Sequence, residues 1–458
     1  MKKSFLFLPF SVSLLVFVLL YTSCNNGNDA SSRIAKRDAI LRNINPPVLP
    51  ANTLSILSFG AKADSITDCK PAFDKAMTEC TKLKGAKIVV PPGIYFIGGP
   101  IHLVNNVCLE IQKGARLKFS SDPTMYLPVV LTSWEGTFVY NYSPFIYGYQ
   151  LENISIIGEG TIDGNASQTF NTWKLKQDSD QMLSREMNHK NIPIGKRVFG
   201  ASHYLRPQLI QLFECKNILI EGVHITNSPF WCIHLLKSEN ITISGLSYNA
   251  KNVNNDGIDP EYSKNILIEN INFNNGDDNI AIKAGRDDEG RLTAIPSENI
   301  IIRNCRFKGL HGVVIGSEMS AGVKNVFVEN CTASSYCKRG IFLKSNPDRG
   351  GYISDIYVNN VSFKDVEDAF FITAFYHGEG KGHNTDIHDV YVDSLFCRKA
   401  THAGLVVQGF PTKKVKDIYF SNVTIDTTTI GISFTNAENI VMSNINIGGE
   451  VKVPSSAK

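Results

Sequence analysis

Four residues recur at matching places in successive stretches of the chain, and together they could carry acid–base chemistry. Asp256 precedes Gly-Ile-Asp, Asp278 precedes Asn-Ile-Ala-Ile-Lys, His311 precedes Gly-Val-Val-Ile and Arg339 precedes Gly-Ile-Phe-Leu-Lys. Set in register on neighbouring strands they form a vertical row with steps of about 4.8 Å, and Asp277 adjoins it. Three carboxyls that close repel one another if all ionise, so at least one holds its proton at raised pH. A protonated acid beside an ionised base is what cleavage of a glycosidic bond requires, the first for the leaving oxygen and the second for water. A lone Asp in a turn would be read as capping backbone amides or binding calcium. An Asp, an Asp-Asp and a His on consecutive strands are read as a catalytic set.

The elements that must position this row are visible as repeats. A unit of acid or Lys, then Asn or Asp, then Ile or Val, any residue and an apolar residue recurs as ENISIIG at 152, KNILIEG at 216, ENITISG at 239 and KNILIEN at 264. It continues at 298, 324, 354, 388, 416 and 438. From Asn217 its second residue returns at intervals of 23, 25, 34, 26, 30, 34, 28 and 22. Apolar residues alternate within each unit, the period of a strand with one buried face. Short strands at irregular spacing predict an all-β, single-domain parallel β-helix, a solenoid whose coils bury their faces on one another. Leucine-rich repeats would need a steadier Leu register and helices, and propeller blades would need longer units. One helix is expected, over Lys70 to Leu83, capping the open N-terminal end.

Residues 1–23 read as a signal peptide: Lys2 and Lys3 precede an apolar run from Phe5 to Leu20, too short for a confident membrane span. Tyr21-Thr22-Ser23-Cys24 resembles a lipoprotein cleavage site with Cys24 lipidated; ordinary secretion is the alternative. Export follows, to the periplasm or outer membrane. Residues 24–52 are expected as a tether, 53–450 as the solenoid and 451–458 as a tail. Residues 165–206 interrupt the repeats with a polar and aromatic insertion, read as a lobe over one end of a groove against the alternative of an inert surface insertion.

Charge excludes a nucleic-acid role: 46 basic residues face 43 acidic ones, and without Lys2 and Lys3 the balance is close to neutral. Hydrophobic residues make up 43% and charged ones 19%, which excludes a disordered chain. Nine cysteines remain after Cys24, an odd number with no zinc-ligand spacing. They are read as buried thiols, with a Cys305–Cys331 disulfide between neighbouring repeats as the alternative. No residue pattern indicates a metal or cofactor, and a capped solenoid is expected to act as a monomer.

From about Leu57 to Gly448 the chain resembles glycoside hydrolase family 28, the polygalacturonases and their relatives, with its opening SFGAKADSITDCKPAFDKAM, the block RPQLIQLFECKNILIEGV and the run NSPFWCIH. The resemblance implies a right-handed parallel β-helix that cleaves pectin with inversion. It places the family's Asn-Thr-Asp on Asn254-Asn255-Asp256, its Asp-Asp on Asp277-Asp278, and its Gly-His-Gly on Leu310-His311-Gly312. By that carry-over Asp277 is the general acid, Asp256 and Asp278 hold and activate water, and His311 tunes the acid. The family's Arg-Ile-Lys falls on Phe342-Leu343-Lys344, so Lys344 is kept and the Arg that grips a uronate carboxylate is lost. Phe cannot replace a bidentate guanidinium. It could stack on a deoxyhexose face, which keeps a rhamnogalacturonan hydrolase as the runner-up to a polygalacturonase, and Arg339 could restore the charge.

Further substrate-binding candidates are Lys283, in register with Lys344, then Tyr376 and His234. Glu318 and Arg286 are read as holding or edging the groove. The substrate expected is pectic polysaccharide or oligogalacturonide, and the lobe leans towards exo attack. A pectate-lyase-like protein and a non-catalytic glycan-binding β-helix are the rival classes.

Overall fold

The computed structural model describes residues 30–378, 380, 382–448 and 450–452; the expected signal peptide and Cys24 lie outside them. The repeated Asn or Asp is the corner residue of each coil. Asn153, Asn217, Asn240, Asn265, Asn299 and Asn325 all take φ between 54° and 59°, and Asp355, Asp389 and Asp417 lie between 54° and 57°. Asn and Asp tolerate this left-handed conformation because a short polar side chain bonds locally. Here the amides also bond along the stack: Asn217 donates to Asn153 (2.9 Å), Asn240 to Asn217 (2.6 Å), Asn299 to Asn265 (2.9 Å) and Asn325 to Asn299 (3.0 Å).

The apolar residue after each corner points inward and stacks in register. Ile218, Ile241, Ile266, Ile300, Val326, Ile356, Val390, Ile418 and Ile440 are successive parallel partners. Each buried member contributes roughly 1.5–3 kcal/mol, so the column is a continuous core. The ladders between coils are parallel, and such crossovers are right-handed, so the chain is a parallel β-helix as expected. One antiparallel hairpin, Val130–Trp134 with Thr137–Asn141, leaves the stack and arches over the groove.

The first coil is closed by α2 (Lys70–Lys82), which buries Phe73, Ala76, Met77 and Cys80 in one apolar cluster with Ile56 and Ile88. It stands where the sequence predicts a cap. The tether expectation for 24–52 is corrected: Ala30–Arg42 is a helix, α1. Ile40 and Ile44 pack on an outward row of Leu267, Ile301, Phe327, Tyr357 and Tyr391, and Arg37 donates to Glu329 at 2.9 Å. A row that strand alternation assigns to solvent is thus covered by the chain's own helix.

The lobe, 165–206, is ordered rather than loop. It holds a 3-10 turn at Phe170–Leu175, α3 (Asp178–His189) and a short strand Val198–Phe199 paired to the hairpin. Across the expected junction of solenoid and tail, Glu450–Lys452 pairs with Val415–Thr435 as a last strand. All nine described cysteines are buried free thiols, Cys305 and Cys331 included.

Candidate active site

The row of candidate residues forms as the register requires. Asp278 pairs with His311 and His311 with Arg339 on successive coils, and Ile258 pairs with Ile280 two residues beyond Asp256 and Asp278. Asp256, Asp277 and Asp278 face one pocket of about 220 Å³, lined also by Asn254, Lys283, Lys344 and Tyr376. Six of the lining residues are cations (Lys174, Arg185, Lys283, Arg286, Lys344, Arg349), against the carboxyls of Glu135, Asp256, Asp277, Asp278 and Glu318.

The two adjacent aspartates are held differently. Asp278 Oδ1 meets His311 Nδ1 at 2.5 Å and Oδ2 accepts from Lys344 Nζ at 3.0 Å. Burial works to raise its pKa, but Lys344 and His311 outweigh it and hold the carboxylate well below its usual range. Among the described residues Asp277 accepts only from Asn254 Nδ2 (3.2 Å) and from the Asp278 backbone N–H (3.0 Å). Burial and the negative charge of Asp278 push it up to about 6. Burial lowers the His311 pKa against the pull of Asp278, so the ring is neutral near pH 7.

Lys283 lies 4.4 Å over the Trp231 ring and near Glu318, Asp259 and Asp256, at 3.4, 3.7 and 3.8 Å. Burial and the charges of Asp259 and Asp277 raise Asp256. Glu318 faces three cations: Lys283, Arg286 Nη1 at 3.2 Å and Arg349 Nη2 at 3.8 Å. They outweigh its burial and keep it ionised. Asn254 is set by Arg206, whose Nη2 donates to its Oδ1 at 2.7 Å.

Two candidates are corrected. His234 is 0% exposed; its ring bonds Glu261 Oε2 and Gln211 Nε2, each at 2.9 Å, so it braces the floor and cannot touch a sugar. Phe342 is 1% exposed and packs with Ala281, Val314 and Phe371, so it offers no face for stacking. Arg339 crosses above it, its guanidinium carbon 4.7 Å from both the Phe342 and Phe371 ring centroids, and bonds the buried Asp368 at 2.9 Å. It lies beside the pocket lining rather than in it.

The structure adds residues that sequence reading missed. Gln181 and Arg185 from α3 hold Glu135 at the hairpin tip (2.7 and 3.3 Å), and all three join Lys174 in the pocket lining. Arg349, four residues beyond Ser345, and His377, next to Tyr376, also line it. The signal for Arg349 was its place in a Gly-rich turn, PDRGG, after the Lys344 strand. Among the described residues, Asp277, Asp278 and His311 lie close enough to share a cation, yet Lys344 already occupies Asp278.

Residues 80–446 match the family Glycosyl hydrolases family 28. A probable polygalacturonase of Vitis vinifera is 30% identical over 90% of this chain and 82% of its own. An endo-polygalacturonase of Pectobacterium carotovorum is 28% identical over 83% and 89%. The exopolygalacturonase of Thermotoga maritima superposes with a TM-score of 0.84 at 36% identity, covering 90% of this chain and 96% of that one. Polygalacturonase relatives share the right-handed parallel β-helix. The split of Asp277 from Asp278 on such a scaffold is that of a glycosidase, and the chain belongs to glycosyl hydrolases family 28.

Proposed function

We propose that the protein is an inverting, exo-acting polygalacturonase that removes galacturonic acid from the end of pectic chains. The observation that carries it is the opposed charge state of Asp277 and Asp278 in a pocket lined by six cations. Asp277, with a pKa near 6, gives its proton to the glycosidic oxygen as the bond to the anomeric carbon breaks. Asp256 and Asp278 hold the water, and its proton passes to Asp256; inversion follows from attack on the opposite face. Lys283, Lys344, Arg286 and Arg349 supply positive charge for uronate carboxylates, with Tyr376 alongside. Arg339, carried on the Phe342 and Phe371 rings and paired with Asp368, adds positive charge beside the pocket without lining it.

Exo action is supported by the lobe, which brings Lys174, Gln181 and Arg185 into the pocket lining, and by the printed activity of the Thermotoga relative. The buried position of Phe342 removes the argument for a rhamnose-specific site. We further read the chain as an exported lipoprotein acting as a monomer, on Lys2-Lys3, the apolar run to Leu20 and Cys24. Product analysis on polygalacturonate tests the proposal: galacturonic acid as the first product supports it, and rhamnogalacturonan as the sole substrate overturns it.

A further inference from the structure

One buried acid near the site is left without a role. Asp259, three residues after Asp256, is 0% exposed, and neither of its oxygens meets a hydrogen-bond donor among the described residues. The nearest cation, Lys283 at 3.7 Å, is divided between Asp259, Asp256 at 3.8 Å and Glu318 at 3.4 Å. Glu318 has Arg286 and Arg349 besides, so Asp256 and Asp259 compete for one ammonium. Two buried carboxylates against a shared cation cannot both ionise cheaply, so one proton is retained.

The surroundings assign that proton. Asp256, though only 4% exposed, lines the pocket, whereas Asp259 is 0% exposed and does not. On the preceding coil, its register partner His234 is engaged with Glu261. Cys232 and Tyr248 lie on the same side, and burial keeps both protonated. Arg206 acts on Asp256 by charge but spends its N–H groups on Gln177, Val253, Pro229 and Asn254. Asp278 and Glu261 add negative charge and no donor for Asp259, and the side chain in hydrogen-bond contact with it is that of Asp256. Asp256 is the partner left for a proton on Asp259.

We propose that Asp259 is a positioning residue: a neutral carboxylic acid whose O–H donates to the Asp256 carboxylate and aims it at the attacking water. This rests on the hydrolytic reading above. In the step, the water O–H breaks towards Asp256 as its oxygen bonds the anomeric carbon, while the proton of Asp277 goes to the leaving oxygen. Asp259 keeps its proton throughout. A neutral Asp259 no longer repels charge on Asp256, and its hydrogen bond favours the ionised form that a base needs.

The test compares wild type, Asp259→Asn and Asp259→Ala on polygalacturonate, following kcat/KM against pH. Asn keeps a neutral donor, so the acid limb is expected to stay in place with kcat reduced severalfold. Ala removes the donor, and the acid limb is expected to rise by about one pH unit with KM little changed. A limb that falls in Asp259→Asn would show that a negative charge had been removed and would overturn the proposal, as would an unmoved limb in Asp259→Ala. Isotope-edited infrared spectra decide it without turnover. Wild type should show the C=O stretch of a protonated carboxyl at neutral pH that Asp259→Asn lacks, and absence of that band in wild type overturns the assignment. Failure of wild type to cut polygalacturonate would sink the hydrolytic reading while leaving the infrared result to judge Asp259.

Discussion

Asp277 and Asp278 are neighbours in the chain but opposites in charge: Lys344 and His311 hold Asp278 as a carboxylate, while Asp277, with Asn254 and a backbone N–H for partners, keeps its proton to about pH 6. Both line one pocket, so a single residue step separates a carboxyl that holds its proton from one that has lost it.

The pH profile follows from that split. An acid must be protonated to work, so kcat/KM should fall as pH rises through about 6. Asp277→Asn should lower kcat by about 10²–10⁴-fold and abolish that alkaline limb. Steady-state rates across pH check both.

Lys344 joins the base to the substrate. Lys344→Met leaves Asp278 buried with His311 alone, and removes a cation beside Tyr376. Loss of one partner from a buried charged pair costs about 2–5 kcal/mol, so kcat/KM on polygalacturonate should drop by about 30-fold or more, with KM raised. A drop confined to kcat would count against a role in binding the uronate.

Phe342 should matter for stability rather than specificity. It lies between Val314 and Phe371 under Arg339, and Phe342→Ala should destabilise the fold by about 3–5 kcal/mol. Restoring the family residue with Phe342→Arg should also destabilise, because the guanidinium would enter an apolar row. Thermal unfolding measures both; a stable Phe342→Arg with raised activity would reverse the assignment.

The lobe gives a test of attack mode. Gln181→Ala with Arg185→Ala removes these two partners of Glu135 and two side chains of the pocket lining. The variant should release more oligogalacturonates relative to monomer, read by chromatography of early products. An unchanged product ratio would mean that the lobe does not set the number of sugars bound.

The solenoid and its row of candidate residues were legible because both depend on register: Asn217 and its successors mark corners, and Asp256, Asp278 and His311 stand at one level of paired strands, just before the apolar run of each. What escaped sequence reading depends on contacts between coils at irregular intervals. The covering of Phe342 comes from Arg339, Phe371 and Tyr376, and the stretch 323–344 alone does not show it. His234 read as available because its partner Glu261 is a coil away. Helix α1 was hidden since its few apolar residues meet outward-facing side chains that alternation assigns to water. Asp259 was passed over because a strand-interior Asp carries no motif; only its missing donors single it out.

The most direct test of the central claim is the time course of products from polygalacturonate, run with Asp277→Asn in parallel. Galacturonic acid appearing from the first turnovers, with the variant inactive, is the expected result. Oligomers of mixed length from the start would contradict exo action, and undiminished cleavage by Asp277→Asn would contradict the assignment of the acid on which the mechanism stands.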